Sequence, residues 1–123
     1  MVVLSENLRR TAHYLVSEAN GLRSRETGLI AAGSGKLDPG AVLGRVTASK
    51  KLVPFNPAAT DGSQNAVAIL YEGCDATTVD VRRTYTARHS EIQAAVLVWA
   101  NGITDSQKTA ALAQLAAFGI AAR

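Results

Sequence analysis

The stretch KKLVPFNPAATDGSQNAVAILYEGCDAT, residues 50–77, decides the fold because it places two short apolar segments on either side of a loop rich in turn residues. Val, Ile, Leu and Tyr favour β-strands, whereas Pro and Asp61-Gly62 favour bends and turns. Pro54 and Pro57 cannot donate a backbone hydrogen bond to a sheet, so we expect the segment KLVPF to lie at a sheet edge or to end early.

Short apolar segments continue on both sides of this stretch. GLIAA and AVLGRVTA precede it, and VDVRRTYTA follows it, each bounded by turn residues. Such spacing predicts a β domain. Strand alternation divides the last segment into two faces, of which we expect one to meet solvent or another chain. The first face carries Val79, Val81, Arg83, Tyr85 and Ala87, and the second carries Asp80, Arg82, Thr84, Thr86 and Arg88.

The clearest element is a helix in the C-terminal segment TDSQKTAALAQLAAFGIAAR. Thr104 and Gln107 have the spacing of a capping box, and Asp105 suits the positive end of the helix dipole. We expect the helix to run from about Asp105 to Phe118, to end at Gly119 and to be followed by a short strand in GIAAR. The predicted fold class is therefore mainly β, with many short strands, irregular loops and one C-terminal α-helix.

The length of 123 residues allows one domain. Residues 1–27 mix charged and polar side chains, show no strong hydrophobic period and contain Asn20-Gly21, which would stop a helix. We therefore predict an extended N-terminal arm over residues 1–27, structured by the surface on which it lies, and a single domain over residues 28–123.

The charge and the apolar runs exclude several classes of partner. The net charge of +3 is spread over basic pairs, so the chain has no basic stripe for nucleic acid. No apolar run reaches the length of about 18 residues that a membrane helix needs. The single cysteine, Cys74, excludes an internal disulfide and is expected to be a buried side chain. We predict neither a nucleic-acid nor a membrane partner.

The letters GSGK, residues 33–36, look like part of a phosphate-binding loop. That loop requires G-x-x-x-x-G-K-[ST], but Ile30 stands where its first glycine must be and Leu37 stands where its Ser or Thr must be. The following residues 38–40, Asp-Pro-Gly, favour a turn and prevent a helix from starting at Lys36. We therefore expect a glycine-rich turn that leads into AVLGRVTA, and no nucleotide.

No other residues of the sequence form a catalytic or metal-binding motif. His13 and His89 lie in unrelated segments without cysteines or paired carboxylates at ligand spacing. Ser63 has no base near it in the sequence, and Asp61-Gly62 is first of all a turn signal. We predict that the protein is not an enzyme, with no catalytic residues, no metal, no cofactor and no small-molecule substrate.

Four segments in one collinear order resemble the head decoration proteins of tailed bacteriophages. They are KLDPGAVLGRVT (36–47), the stretch 50–77, ARHSEIQAAVLVW (87–99) and AALAQLAAFGIAAR (110–123). The resemblance covers the chain from about residue 15 to the C-terminus, and its order is more specific than any one piece. Residues 1–12 have no counterpart in it.

The resemblance implies a viral capsid decoration (cement) protein with a β-clip-like domain. Such a protein is made in the bacterial host cytoplasm and binds as a homotrimer at three-fold and quasi-three-fold sites on the outer surface of the expanded head, where it stabilises the virion against internal DNA pressure. The N-terminal arm is expected to pair with the major capsid protein through Leu15, Val16, Leu22 and Arg25. Trp99 and Leu97 are expected to be core or trimer contacts.

Deleting residues 1–26 is therefore expected to weaken capsid binding and to leave the body folded. The alternative function is that of a minor structural protein of a tail or contractile injection system. A small enzyme or nucleotide binder that uses GSGK is a third hypothesis, and nucleic-acid binding is a more distant fourth.

Overall fold

A computed structural model of the chain describes residues 9–123, which form ten strands and one α-helix. The predicted fold class, mainly β with one C-terminal helix, is confirmed. The strands are β1 (Leu15–Glu18), β2 (Arg25–Ile30), β3 (Gly35–Leu37), β4 (Val42–Arg45), β5 (Leu52–Pro54), β6 (Ala66–Leu70), β7 (Cys74–Ala76), β8 (Val81–Thr86), β9 (Ser90–Ile92) and β10 (Ile120–Ala122). A 3-10 turn covers Ala94–Val96, and α1 covers Asp105–Ala116.

Five strands close into a barrel in the order β2-β5-β4-β6-β8. The longest ladder joins β2 to β8, antiparallel, from Arg25 opposite Thr86 to Ile30 opposite Val81. The segment KLVPF supplies β5, which lies between β4 and β2 and ends at Pro54. Of the two alternatives expected for this segment, the structure shows the early end, because Pro54 has no N–H with which to continue the ladder.

Alternation along β4 and β6 gives the molecule two apolar clusters. Leu43 and Leu70, both fully buried, pack with residues of the other barrel strands and of β7, including Cys74. Their neighbours Val42 and Ile69 pack on the opposite side, against α1, β9 and β10. Because both faces of β4 and β6 are covered, these strands read as nearly continuous apolar runs.

A second sheet, in the order β1-β9-β10, lies beside the barrel. β9 is the central strand, antiparallel to β1 and parallel to β10. The predicted return strand in GIAAR is thus confirmed as β10, whose Ile120 is fully buried with Ile92 of β9 and Leu115 of α1. This sheet and the helix cover the outer side of β4 and β6.

The helix begins as predicted and ends two residues earlier than predicted. Thr104 and Gln107 form both hydrogen bonds of the capping box. The chain leaves the helix after Ala116, and Gly119 takes the left-handed conformation at φ +81°. Its N–H donates to the carbonyl of Ala116 at 2.9 Å, which satisfies one of the last helical carbonyls.

The stretch around Gly35 also behaves as a turn into a strand. Gly33 and Gly35 have φ values of +90° and +81°, and residues 35–37 pair with β7 as the short strand β3. The Ala41 N–H donates to the Asp38 carbonyl at 3.2 Å, so the predicted turn before β4 is present. A strand stands where a phosphate-binding loop would need the start of a helix.

Gly62, in the Asp-Gly turn before β6, lies so close to the barrel that a side chain does not fit. A Cβ atom there would come within 2.3 Å of Thr47 Oγ1 and 2.6 Å of the Arg45 carbonyl oxygen, and the backbone has φ +110°. The turn is therefore packed against the strand-to-loop exit of β4.

Replacing Gly62 with alanine is expected to lower the free energy of unfolding more than replacing Gly102. Gly102 has a similar positive φ of +85°, but a Cβ atom there would have no neighbouring atom within 4 Å, so Gly102→Ala measures the backbone strain alone, about 1–3 kcal/mol. Gly62→Ala adds the steric clash to that cost. Urea denaturation of both variants checks the order, and equal losses would contradict the close packing of the turn.

Residues 13–27, predicted as part of an extended arm, lie on the body of this chain. β1 pairs with β9, β2 pairs with β8, and Tyr14 is fully buried. No break in packing separates this segment from the domain at residue 27. The start of the predicted arm, residues 1–8, lies outside the described residues, and the behaviour of the arm on a capsid stays a prediction.

Candidate functional site

The N-terminal part of the described chain is anchored by Tyr14. Its hydroxyl lies 2.5 Å from the Thr86 hydroxyl inside the core, and its carbonyl accepts a hydrogen bond from the Gln93 N–H at 2.8 Å. The side chain is completely buried. Burial raises the pKa of the Tyr14 phenol above its ordinary range, so the group stays a neutral hydrogen-bonding side chain.

A second anchor joins the end of β1 to the start of β2. The Arg25 guanidinium forms a bidentate pair with the Glu18 carboxylate, with Nε 3.1 Å from Oε2. The Ser24 hydroxyl donates to the same Oε2 at 2.6 Å. On its other side, the guanidinium carbon of Arg25 lies 4.2 Å from the centre of the Tyr71 ring. Arg25 and Ser24 thus hold the pKa of Glu18 below its usual range.

Ser24 also fixes the loop through its backbone. The residue is fully buried, and its carbonyl accepts hydrogen bonds from the Ala87 N–H at 2.8 Å and from the Arg88 N–H at 3.3 Å. We call residues 13–25 the N-terminal clasp, because both of its ends are bonded to the body while the chain between them runs over the surface.

Between its anchors, the clasp exposes two large apolar side chains. Val16 is 58% exposed and Leu22 is 73% exposed. Among the described residues only Val79 and Phe118 are comparable, and they lie far along the chain. β1 is moreover an edge strand of its sheet, and its register with β9 shifts between Leu15 and Ser17. An edge strand with exposed apolar side chains is a candidate surface for another protein chain.

The structure divides the four predicted arm contacts into two groups. Val16 and Leu22 present their side chains to solvent. Leu15 is half-buried and packs against the core cluster around α1, and Arg25 is bonded to Glu18. The first pair is therefore available to a partner without rearrangement, whereas the second pair already contacts its own chain.

The two residues predicted as core or trimer contacts lie together in the segment before α1. Leu97 is buried in the cluster around α1. Trp99 is half-buried, packs against the same cluster and meets the Phe55 ring edge-on at a centroid distance of 6.2 Å. Their side chains thus belong to the outer cluster of this chain.

The sequence patterns did not reveal Glu18, Ser24 and Tyr71 as part of the clasp. Glu18 meets its partners across a loop, and the Tyr71 ring reaches Arg25 from the end of β6, so spacing alone gives no signal for these contacts. The one sign in the sequence was Tyr14 itself, since an aromatic residue followed by Leu15 and Val16 is typical of a buried strand.

Other chemistries find no arrangement of side chains in the described range. Residues 9–123 contain no group of three or more side chains that could hold a metal ion. In the same range no helix has the length and apolar content needed to cross a membrane. The Ser63 hydroxyl donates to Asp61 Oδ1 at 2.6 Å, and this bond stabilises the turn and lowers the pKa of Asp61.

The clasp should respond to acid through Glu18. Its pKa is lowered in the folded protein from an ordinary value of 4.5, so the ion pair adds stability above that value and loses it as the pH falls through the lowered folded pKa. We expect Glu18→Gln to be less stable than the natural protein at pH 7 and equally stable near pH 3, measured by urea denaturation. Because Glu26 and Glu91 also have lowered pKa values, the difference between the two proteins is the quantity to follow. A difference that is the same at both pH values would contradict the role of the Glu18 charge.

The comparisons with known proteins agree with the β-rich fold and with the sequence resemblance. The family model of bacteriophage lambda head decoration protein D matches residues 3–120 of the 123-residue chain. The match therefore includes residues 3–12, for which the sequence segments alone gave no counterpart. No curated protein sequence matches the chain. Because the match spans almost the whole chain, this protein belongs to the bacteriophage lambda head decoration protein D family, whose members are structural proteins of the phage capsid.

Proposed function

We propose that the protein is a cement protein that binds as trimers at three-fold and quasi-three-fold sites of the expanded head. There it stabilises the outer surface of the shell against internal DNA pressure. Membership of the decoration family supports a place on the phage capsid. The trimer, the sites and the stabilising role are the proposed parts.

The clasp is the part of the molecule that we assign to the major capsid protein. The single observation that carries this assignment is the exposure of Val16 and Leu22 on an edge strand and its adjoining loop. An extended segment of a partner can add to such an edge through main-chain hydrogen bonds, while apolar pockets receive the two side chains. The anchors at Tyr14 and Arg25 hold the surface in place before the partner arrives, which reduces the ordering cost of binding.

Leu15 and Arg25 take a supporting role in this proposal. Leu15 packs on the outer cluster, and Arg25 closes the clasp with Glu18. For Leu97 and Trp99 we propose the core role, because both pack in the cluster around α1. A rigid body behind the contact surface then transmits the load from one capsid subunit to the next.

The rival functions lose support for different reasons. A minor tail protein is compatible with the fold alone, but the matching family is one of head decoration proteins. We further propose that the protein has no catalytic activity, which agrees with a structural family.

Binding to shells tests the proposal directly. Purified protein added to expanded shells that lack it should bind saturably, near three copies per three-fold site, and raise the temperature at which the shells lose their contents. Unexpanded shells serve as the control and should bind little. Saturable binding to no expanded shell would contradict the proposal, and binding without thermal protection would contradict the cement role.

A further inference from the structure

The largest concave surface of the described chain lies beside Trp99. It is a groove of about 350 Å³ whose lining includes Pro54, Val98, Trp99 and Asn101. A second depression of about 270 Å³ continues from it along the preceding residues of the same segment, and Arg9 lines both. We call the two together the Trp99 groove.

Two features of the groove indicate that something covers it. Trp99 is only half-buried, although its ring already contacts Phe55 on one side. The Ser34 hydroxyl in the same lining is shielded from solvent and has no hydrogen-bond partner within residues 9–123. A shielded hydroxyl without a partner is unfavourable, so a covering segment that brings backbone N–H and C=O groups would stabilise both features.

The start of the same chain has the right position, length and chemistry to be that segment. The described chain begins at Arg9 in the groove, where its guanidinium Nη1 lies 3.0 Å from Asp38 Oδ2. Residues 1–8 read MVVLSENL, with three consecutive apolar side chains at residues 2–4. Those residues stand five to seven positions before Arg9, a reach of about 16–23 Å when extended. Residues tied to the groove by so short a link have a high effective concentration there.

Charge adds to this fit. Glu6 is the one acidic residue between Met1 and Leu8. Lys36 lines the groove, is exposed, and makes no salt bridge with another described residue. A segment that enters the groove from Arg9 thus brings a carboxylate towards an available ammonium group.

We propose that Val2, Val3 and Leu4 of the same chain cover the Trp99 groove, and that a backbone group of this segment pairs with the Ser34 hydroxyl. The segment removes three adjacent apolar side chains from solvent and completes the burial of the tryptophan ring. The proposal concerns the free protein and is independent of shell binding.

Trp99 reports on this contact because it is the only tryptophan in the chain. The full-length triple variant Val2→Ser, Val3→Ser, Leu4→Ser should show a red shift of the tryptophan emission and stronger quenching by acrylamide than the natural protein. A matched control, Val79→Ser, removes an exposed apolar side chain that does not line the groove and should leave both readings unchanged. The same emission and quenching in the triple variant and the natural protein would overturn the proposal.

Cross-linking decides whose segment occupies the groove. In a Cys74→Ala background, the pair Leu4→Cys and Asn101→Cys should form a disulfide within one chain, faster than the control pair Leu4→Cys and Val79→Cys. Mass spectrometry separates a cross-link inside one chain from one between two chains. A product at twice the chain mass, or an emission shift that depends on protein concentration, would assign the groove to a second copy and overturn the proposal.

Discussion

Deleting residues 1–26 is expected to unfold the protein, whereas deleting residues 1–11 is expected to leave the fold intact. The longer deletion removes β1, the buried Tyr14 and Ser24, and the first two residues of β2. The shorter one removes the exposed ion pair between Arg9 and Asp38, which contributes little. The boundary between dispensable and essential residues therefore lies between residues 11 and 14.

Tyr14 alone accounts for much of this effect. Truncating a buried aromatic side chain costs about 3–5 kcal/mol, against a total stability of about 5–15 kcal/mol for a domain of this size. Tyr14→Ala also leaves the Thr86 hydroxyl without its partner in the core. Tyr14→Phe keeps the ring and removes only the hydroxyl, so its cost should be about 1–3 kcal/mol.

Circular dichroism and urea denaturation of the two deletions and the two point variants check these values. If the protein without residues 1–26 unfolds cooperatively at the urea concentration of the natural protein, the clasp is not part of the folded body. A loss for Tyr14→Ala no larger than that for Tyr14→Phe would likewise contradict the role of the ring. The sequence patterns predict the first of these contrary outcomes, because they assign residues 1–27 to a separable arm.

The double variant Val16→Asp, Leu22→Asp is expected to lose shell binding while keeping its stability. If the two side chains fill apolar pockets of the capsid protein, each replacement costs about 2 kcal/mol or more, so the pair should weaken binding by roughly 100-fold or more. Both side chains are exposed in the free protein, so their replacement should change the free energy of unfolding by only about 0.5 kcal/mol each.

Val79→Asp is the matched control for this experiment. Val79 is 60% exposed, close to the value for Val16, but it lies in the turn before β8 and outside the clasp. Sedimentation of shells with bound protein measures all three proteins. Binding that survives the double variant and fails with Val79→Asp would move the contact surface to the turn between β7 and β8.

Much of the fold follows from local sequence. The capping box at Thr104 and Gln107, the left-handed Gly119 and the turn at Asp61-Gly62 are formed by neighbours in the chain, so their residue types predict them. The same holds for β6, whose apolar run AVAIL is bounded by turns. Even the failure of GSGK as a phosphate loop could be predicted, because the motif depends on residues within a few positions.

The clasp could not be predicted in this way because its partners are distant in sequence. Alternation assigns Thr86 to the polar face of VDVRRTYTA, yet the residue is fully buried, since its hydroxyl pairs with Tyr14, 72 positions earlier. Residues 15–18 look like part of a loose arm, but β9 supplies the backbone partners that make them a strand. Local chemistry thus accounts for the turns, the helix and most strands, whereas only tertiary pairing decides that the chain after Tyr14 belongs to the body and that Val16 and Leu22 remain exposed. The physical reason is that a buried hydroxyl or an edge strand is stable only with its partner, and the fold alone brings that partner near.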